Sequence, residues 1–191
     1  MVATGRLYAA PVDTGAPFVV VCTGPPGTGK STIATALAQR TGASLLAWDW
    51  VMGALTGFES VHTALGALDR AEYRRVGWAV LWNLAEAQLR VGRPVVLDGV
   101  ARTEEIARTR ALAVRLGARS VVVLTECCDP ETQRRRIERR DRAIPGWHEL
   151  TWENVSAFMG QWEPPEADLV VDTAADPDPV AIVGRVIAAA Q

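Results

Sequence analysis

Phe18-Val19-Val20-Val21-Cys22-Thr23-Gly24-Pro25-Pro26-Gly27-Thr28-Gly29-Lys30-Ser31 is the stretch whose reading decides the fold. Its first six residues form a continuous apolar run, the pattern of a central parallel strand buried on both faces. Its last eight meet G-x-x-x-x-G-K-[ST] through Gly24, Gly29, Lys30 and Ser31. Ser31 to Arg40 then reads as a helix closed by Gly42. Strand, glycine-rich loop and helix in that order are the context in which this motif cradles phosphate. The glycines admit backbone conformations closed to other residues, so successive N–H groups turn inward around phosphate oxygens. The helix N-terminus adds a favourable partial positive charge.

The loop predicts a nucleoside triphosphate, ATP or GTP, with Lys30 bridging the β- and γ-phosphates and the Ser31 hydroxyl on Mg²⁺. Gly24, Gly27, Thr28, Gly29, Lys30, Ser31 and Thr32 are the candidate nucleotide contacts. The bland alternative is a glycine-rich turn without ligand. Against it stands the rest of the composition, because 19 of the 20 basic residues are arginine and Lys30 is the single lysine. Retention of one compact ammonium inside this loop fits a point-charge phosphate contact that a planar guanidinium does not replace.

Outward from the loop, strands and helices alternate. Ser44 to Trp48, Pro94 to Leu97, Ser120 to Thr125 and Leu169 to Val171 read as strands. Helical patterns cover residues 69 to 91, Thr103 to Leu116, Pro130 to Arg142 and Pro179 to Ala190. Such alternation predicts an α/β fold with a parallel sheet. Residues 1 to 16 read as an irregular, flexible tail, and residues 17 to 191 as one domain without internal repeats.

A chain of 191 residues, 49% hydrophobic and 22% charged, has ordinary globular composition. No apolar run approaches the roughly 18 to 20 residues of a membrane span. The N-terminus has no signal-type apolar stretch before Pro11, so a cytoplasmic location is expected. Cys22, Cys127 and Cys128 all lie in strand-like apolar runs and read as buried free thiols. No metal-binding Cys/His spacing occurs. A net charge of −2 supplies no global field for nucleic acid.

Two aspartates stand at strand ends, where ligands bind in doubly wound sheets. Asp98 ends a buried strand and is the candidate that orients magnesium with Ser31; a turn aspartate in Asp98-Gly99 is the alternative. Asp49 follows the second strand between Trp48 and Trp50, a position for the carboxylate that orients a hydroxyl acceptor and takes its proton. Helix capping through Trp50 to Leu55 is its alternative role, and the two are compatible. Seven tryptophans are many for this length, and at least half are expected in packing, with Trp78 and Trp82 on one helix face. Aromatic residues beside Asp49 would suit an acceptor with a ring.

Residues 134 to 142 hold six arginines. Such a run is usually a solvated helix face. Phosphoryl transfer, however, needs cations over the transferring group, and a mobile segment can supply them in cis. Helical spacing groups Arg135, Arg139 and Arg142, with Arg136 and Arg140 on an adjacent strip. Pro145-Gly146 after the run is a candidate hinge.

With these features assembled, the chain resembles the small P-loop kinases that include chloramphenicol phosphotransferase, gluconate kinase, shikimate kinase and the zeta toxins. The likeness rests on the P-loop, the aspartate after the second strand, the Arg-x-x-x-Arg of the lid and the late strand Asp168-Leu169-Val170-Val171-Asp172-Thr173. It implies a P-loop NTPase three-layer sandwich with a five-stranded parallel sheet in order 2-3-1-4-5 and a helical lid over about residues 130 to 146. It also implies Asp49 as base, Arg135 and Arg139 acting from the lid, and contacts to the nucleotide base from Arg139 and the loop near Thr173. The acceptor region, Ala47-Trp48-Asp49-Trp50 with the long Trp78/Trp82 helix, matches no substrate signature.

The expected activity is transfer of a γ-phosphate to a hydroxyl of a small molecule, with an antibiotic, a nucleoside and a sugar as candidate acceptors and an antibiotic-inactivating kinase favoured. A polynucleotide 5′-kinase and a nucleotide-dependent switch are the competing readings. The sequence leaves ATP against GTP, and monomer against homodimer, open.

Overall fold

The computed structural model describes residues 16–190. The tail expected over residues 1 to 16 lies outside them apart from its last residue. The order of elements is β1 (Phe18–Thr23), α1 (Lys30–Thr41), β2 (Ser44–Ala47), α2 (Trp48–Thr56), α3 (Glu59–Gly66), α4 (Arg70–Arg90), β3 (Val95–Asp98), α5 (Thr103–Arg115), β4 (Arg119–Glu126), α6 (Pro130–Arg139), α7 (Trp152–Met159), β5 (Leu169–Asp172) and α8 (Pro179–Ala190). The five strands form one parallel sheet in the order β2-β3-β1-β4-β5, the order the resemblance implies.

The apolar runs explain the layering. β1 and β3 are buried along their whole length, because helices cover both faces of the sheet. Val20, Cys22, Val96 and Val123 pack with α1 and α8 on one face. Val19, Val21, Val95 and Leu97 pack with α4 and α5 on the other. Trp78 and Trp82 belong to that second core, with ring centroids 5.8 Å apart. Their polar ends are satisfied inside it: Trp82 Nε1 donates to Thr109 Oγ1 at 3.0 Å and Trp78 Nε1 to the Val100 carbonyl at 3.3 Å.

The register brings the chemistry together. Cys22 of β1 lies beside Asp98 of β3, and Asp98 lies beside Ala47 of β2. The glycine-rich loop, Asp98 and Asp49 therefore leave three adjacent strands at the same sheet end, where ligands bind in open α/β sheets.

Several expectations change. The arginine helix stops at Arg139 rather than Arg142, because Arg140 turns to an extended conformation (φ −78°, ψ 137°). Arg142 is therefore not on the helical strip with Arg135 and Arg139. Helices α3 and α7 were not anticipated. Only Cys22 is buried; Cys127 is half-buried and Cys128 exposed, since β4 ends at Glu126 and both follow it in the loop. Among the described residues, no helix is long and apolar enough to cross a membrane.

Candidate active site

A cavity of about 820 Å³ opens along the carboxyl ends of β1, β2 and β3. Its floor is the glycine-rich loop. Gly24 begins that loop at φ 140°, and a Cβ there would stand 2.2 Å from the Thr125 carbonyl oxygen, so no side chain fits. Thr28 tightens the turn from behind, its hydroxyl 2.8 Å from the Pro25 carbonyl and 2.7 Å from Thr125 Oγ1. Gly24 and Thr28, expected as nucleotide contacts, thus shape the loop from inside; Gly27, Gly29, Lys30, Ser31 and Thr32 line the cavity.

Lys30 donates from Nζ to the Pro25 carbonyl at 3.0 Å, a weak neutral acceptor that a phosphate oxygen would outcompete. Burial pushes its ammonium pKa down, while Asp98 and Asp49 oppose this and Arg140 and Arg142 add to it. Asp98 is 8% exposed. Burial raises its carboxyl pKa, against the pull of Lys30 and a hydrogen bond from Ser31. A buried carboxylate beside a serine hydroxyl, with the Asp49 carboxylate in the same cavity, is an all-oxygen donor set that suits a hard cation such as Mg²⁺. That cation keeps most of its shell as water and phosphate oxygen.

Asp49 lies in the first turn of α2, with Ala47 as the cap residue, so it does not cap the helix. It lines the cavity and is ion-paired with Arg142 through Oδ2. Its Oδ1 has no hydrogen-bond donor among the described residues. Glu149 completes the cluster, accepting from Arg142 Nε at 3.2 Å and standing 3.1 Å from Arg140 Nε. Burial works against the Arg142 charge, but Asp49 and Glu149 more than offset it and its pKa is raised. Arg140 moves down instead, through burial and the neighbouring Arg142. Arg140 Nη2 and Arg142 Nη2 are buried without hydrogen-bond partners among the described residues, leaving unspent donors on two cavity-lining arginines.

The lid arginines chosen from the sequence are not those at the cavity. Arg135 is exposed and turned to Thr132 Oγ1 at 2.6 Å, and Arg139 is exposed too. Arg136, Arg140 and Arg142 line the cavity in their place. The cause is rotational: α6 buries Gln133 and Ile137 against the loop at Gly27, which sends Arg135 and Arg139 outward. Arg136 is anchored to the segment after β5, donating to Thr173 Oγ1 at 2.9 Å and the Thr173 carbonyl at 2.6 Å. Thr173 lines the cavity but spends its hydroxyl structurally, 3.1 Å from the Thr28 carbonyl.

The sequence reading also missed Trp147, which lines the cavity and meets Trp48 edge-on at 5.5 Å. Trp48 is fixed by Nε1 donating to the Arg74 carbonyl at 3.2 Å and by an edge contact with Tyr73 at 5.7 Å. Pro145-Gly146, expected as a hinge, is packed on α2, where Thr56 Oγ1 donates to the Gly146 carbonyl at 2.8 Å.

A family model described as an AAA domain matches residues 19–165. No curated protein sequence matches the chain significantly. Similar solved structures include a presumptive kinase from Chloroflexus aurantiacus (22% identity, 92% of this chain and 100% of that one, TM-score 0.68). A gluconokinase from Sinorhizobium meliloti is 20% identical over 91% of this chain and 90% of its own, with TM-score 0.61. The APS kinase of Mycobacterium tuberculosis, in complex with AMPPNP and APS, is 18% identical over 91% and 96%, with TM-score 0.60. The matched domain, the five-stranded order and the phosphate-cradling loop agree, and the chain belongs to the AAA domain family with the fold of the small P-loop kinases.

Proposed function

We propose that the protein is a Mg²⁺-dependent kinase that moves the γ-phosphate of ATP or GTP to a hydroxyl of a small molecule. The observation that carries the reading is that Lys30, Ser31, Asp98 and Asp49, taken from three adjacent strand ends, line one cavity. Lys30 and the loop N–H groups hold the phosphates, and Arg140 and Arg142 offer unspent donors to the transferring group. Ser31 and Asp98 would hold the cation, which when bound neutralises charge on the phosphate oxygens. Asp49 orients the acceptor hydroxyl through Oδ1 and takes its proton, while Arg142 holds Oδ2 and fixes the carboxylate. Trp48 and Trp147 line the cavity edge to face and suit a ring-bearing acceptor; an antibiotic, a nucleoside and a sugar are the candidates, the antibiotic resting also on the resemblance to chloramphenicol phosphotransferase. The cytoplasm is the expected setting.

Replacement of Asp49 by Asn removes the proton acceptor and keeps the shape. Turnover on a true acceptor should fall roughly 10²- to 10⁴-fold, with nucleotide affinity close to wild type. Steady-state kinetics beside nucleotide titration measures both, and equal turnover in the two proteins would remove Asp49 from the mechanism.

A further inference from the structure

Resting on that kinase reading, the geometry points to an acceptor that carries an anionic group of its own, held by Arg70 and Arg102, which line the same cavity as Trp48 and Asp49. The chain as a whole is slightly acidic, at −2, yet seven cationic side chains line this cavity against three carboxylates. The nucleotide accounts for only part of that excess. Lys30 and Arg140 serve the phosphates, Arg136 is paired with Asp176, and Arg142 with Asp49 and Glu149. Three arginines remain, all away from the glycine-rich loop in the chain: Arg70 and Arg74 from the first turns of α4, and Arg102 from the segment after β3.

These three are not equivalent. Arg74 is neutralised by Glu105, Nε to Oε1 2.8 Å, with the Glu105 side chain 1% exposed. That buried pair, with the bond from Trp48 to the Arg74 carbonyl, fixes the wall rather than offering charge. Arg70 stands one helical turn before Arg74 on the same face of α4. Arg70 is exposed at the mouth of the cavity and Arg102 is half-buried, and neither has a carboxylate partner among the described residues, so their charge faces the cavity unneutralised. Two unpaired guanidinium groups lining a concave site raise the local concentration of anions and can bind them in forked geometry. A neutral polyol or neutral aromatic alcohol leaves both unanswered. A hydroxyl compound bearing a carboxylate, phosphate or sulfate answers them while its hydroxyl meets Asp49.

The test has two arms. In the first, the protein is saturated with Mg²⁺ and AMPPNP, so that the loop is filled, and titrated calorimetrically with inorganic sulfate, inorganic phosphate and malonate. Saturable binding of at least one is expected, weakened more than tenfold in the Arg70→Gln/Arg102→Gln double variant, with AMPPNP affinity and thermal melting unchanged. The anion that binds tightest identifies the group. Absence of saturable binding, or equal binding by the variant, overturns the inference. In the second arm, γ-labelled nucleotide is incubated with a cell extract, the labelled product is isolated, and phosphatase removes the transferred group. The released acceptor should stay on an anion exchanger at neutral pH; a neutral acceptor overturns the inference whatever the first arm shows. Failure of the kinase reading itself is distinguishable, since it yields no labelled organic product while the first arm still decides whether the arginines bind an anion.

Discussion

Asp98 sits between two demands. As a buried carboxylate it is easier to keep protonated, and burial raises its pKa despite Lys30 and Ser31. In the proposed role of cation ligand it must be ionised. A folded pKa above the unfolded one means that the ligand-free fold is favoured below the unfolded value and gives up that stability as pH rises through the folded value. Cation and nucleotide binding run the other way, gaining as Asp98 ionises. Magnesium-dependent nucleotide affinity should therefore fall on acidification at a higher pH than an ordinary aspartate would impose. Asp98→Asn should flatten that limb and lower the affinity by about 10- to 100-fold. Titration of AMPPNP with and without Mg²⁺ across the acid range measures it, and an unchanged pH profile in the variant would contradict the assignment. Asp98, Asp49 and Lys30 were legible in the sequence because strand ends and the loop motif locate them by order alone. Which arginines reach the cavity was not, because helical spacing groups residues on a face without saying which face meets the sheet.

Among elements, the connector between α6 and α7 carries the arginine cluster, and its position depends on α2. Gly146 has φ 73°, and a Cβ there would stand 2.2 Å from the Gly53 carbonyl oxygen. A Cβ on Gly53 would in turn stand 2.6 Å from the Pro145 carbonyl oxygen. Two backbones meet here with no room for a side chain, and this contact holds Arg142 against Asp49. Gly146→Ala should destabilise the protein by about 1–3 kcal/mol in denaturant unfolding and raise the acceptor KM more than the nucleotide KM. A variant with wild-type stability and kinetics would show that the connector is not held by α2. Reading Pro145-Gly146 as a hinge followed from composition; the long-range contact with Gly53 has no local signature. Helix α7 did have one, since Thr151 caps it in a reciprocal box with Asn154. The signature is a weak one, because asparagine stands where the usual box has Glu or Gln. The arginine helix stopped early for a tertiary reason, as Arg140 leaves it to meet Glu149.

At the scale of the molecule, the apolar runs of β1, β3 and β4 were enough to read a buried parallel sheet, and the loop between β1 and α1 set its class. The order of strands came from resemblance, since no residue pattern states which parallel strands are neighbours. Charge distribution was the least legible property, because a net charge of −2 conceals a cationic cavity made from residues as distant as Arg70 and Arg142. The central claim is that this cavity transfers phosphate rather than merely gripping or hydrolysing a nucleotide. Its most direct test follows the γ-phosphate itself: γ-labelled ATP and GTP are incubated with a cell extract and either the wild type or Lys30→Ala, and the label is separated into nucleotide, inorganic phosphate and organic phosphate. The account predicts wild-type label in an organic phosphate ester and a loss of more than about 10²-fold in Lys30→Ala. Label appearing only as inorganic phosphate, or equal ester from both proteins, would contradict it.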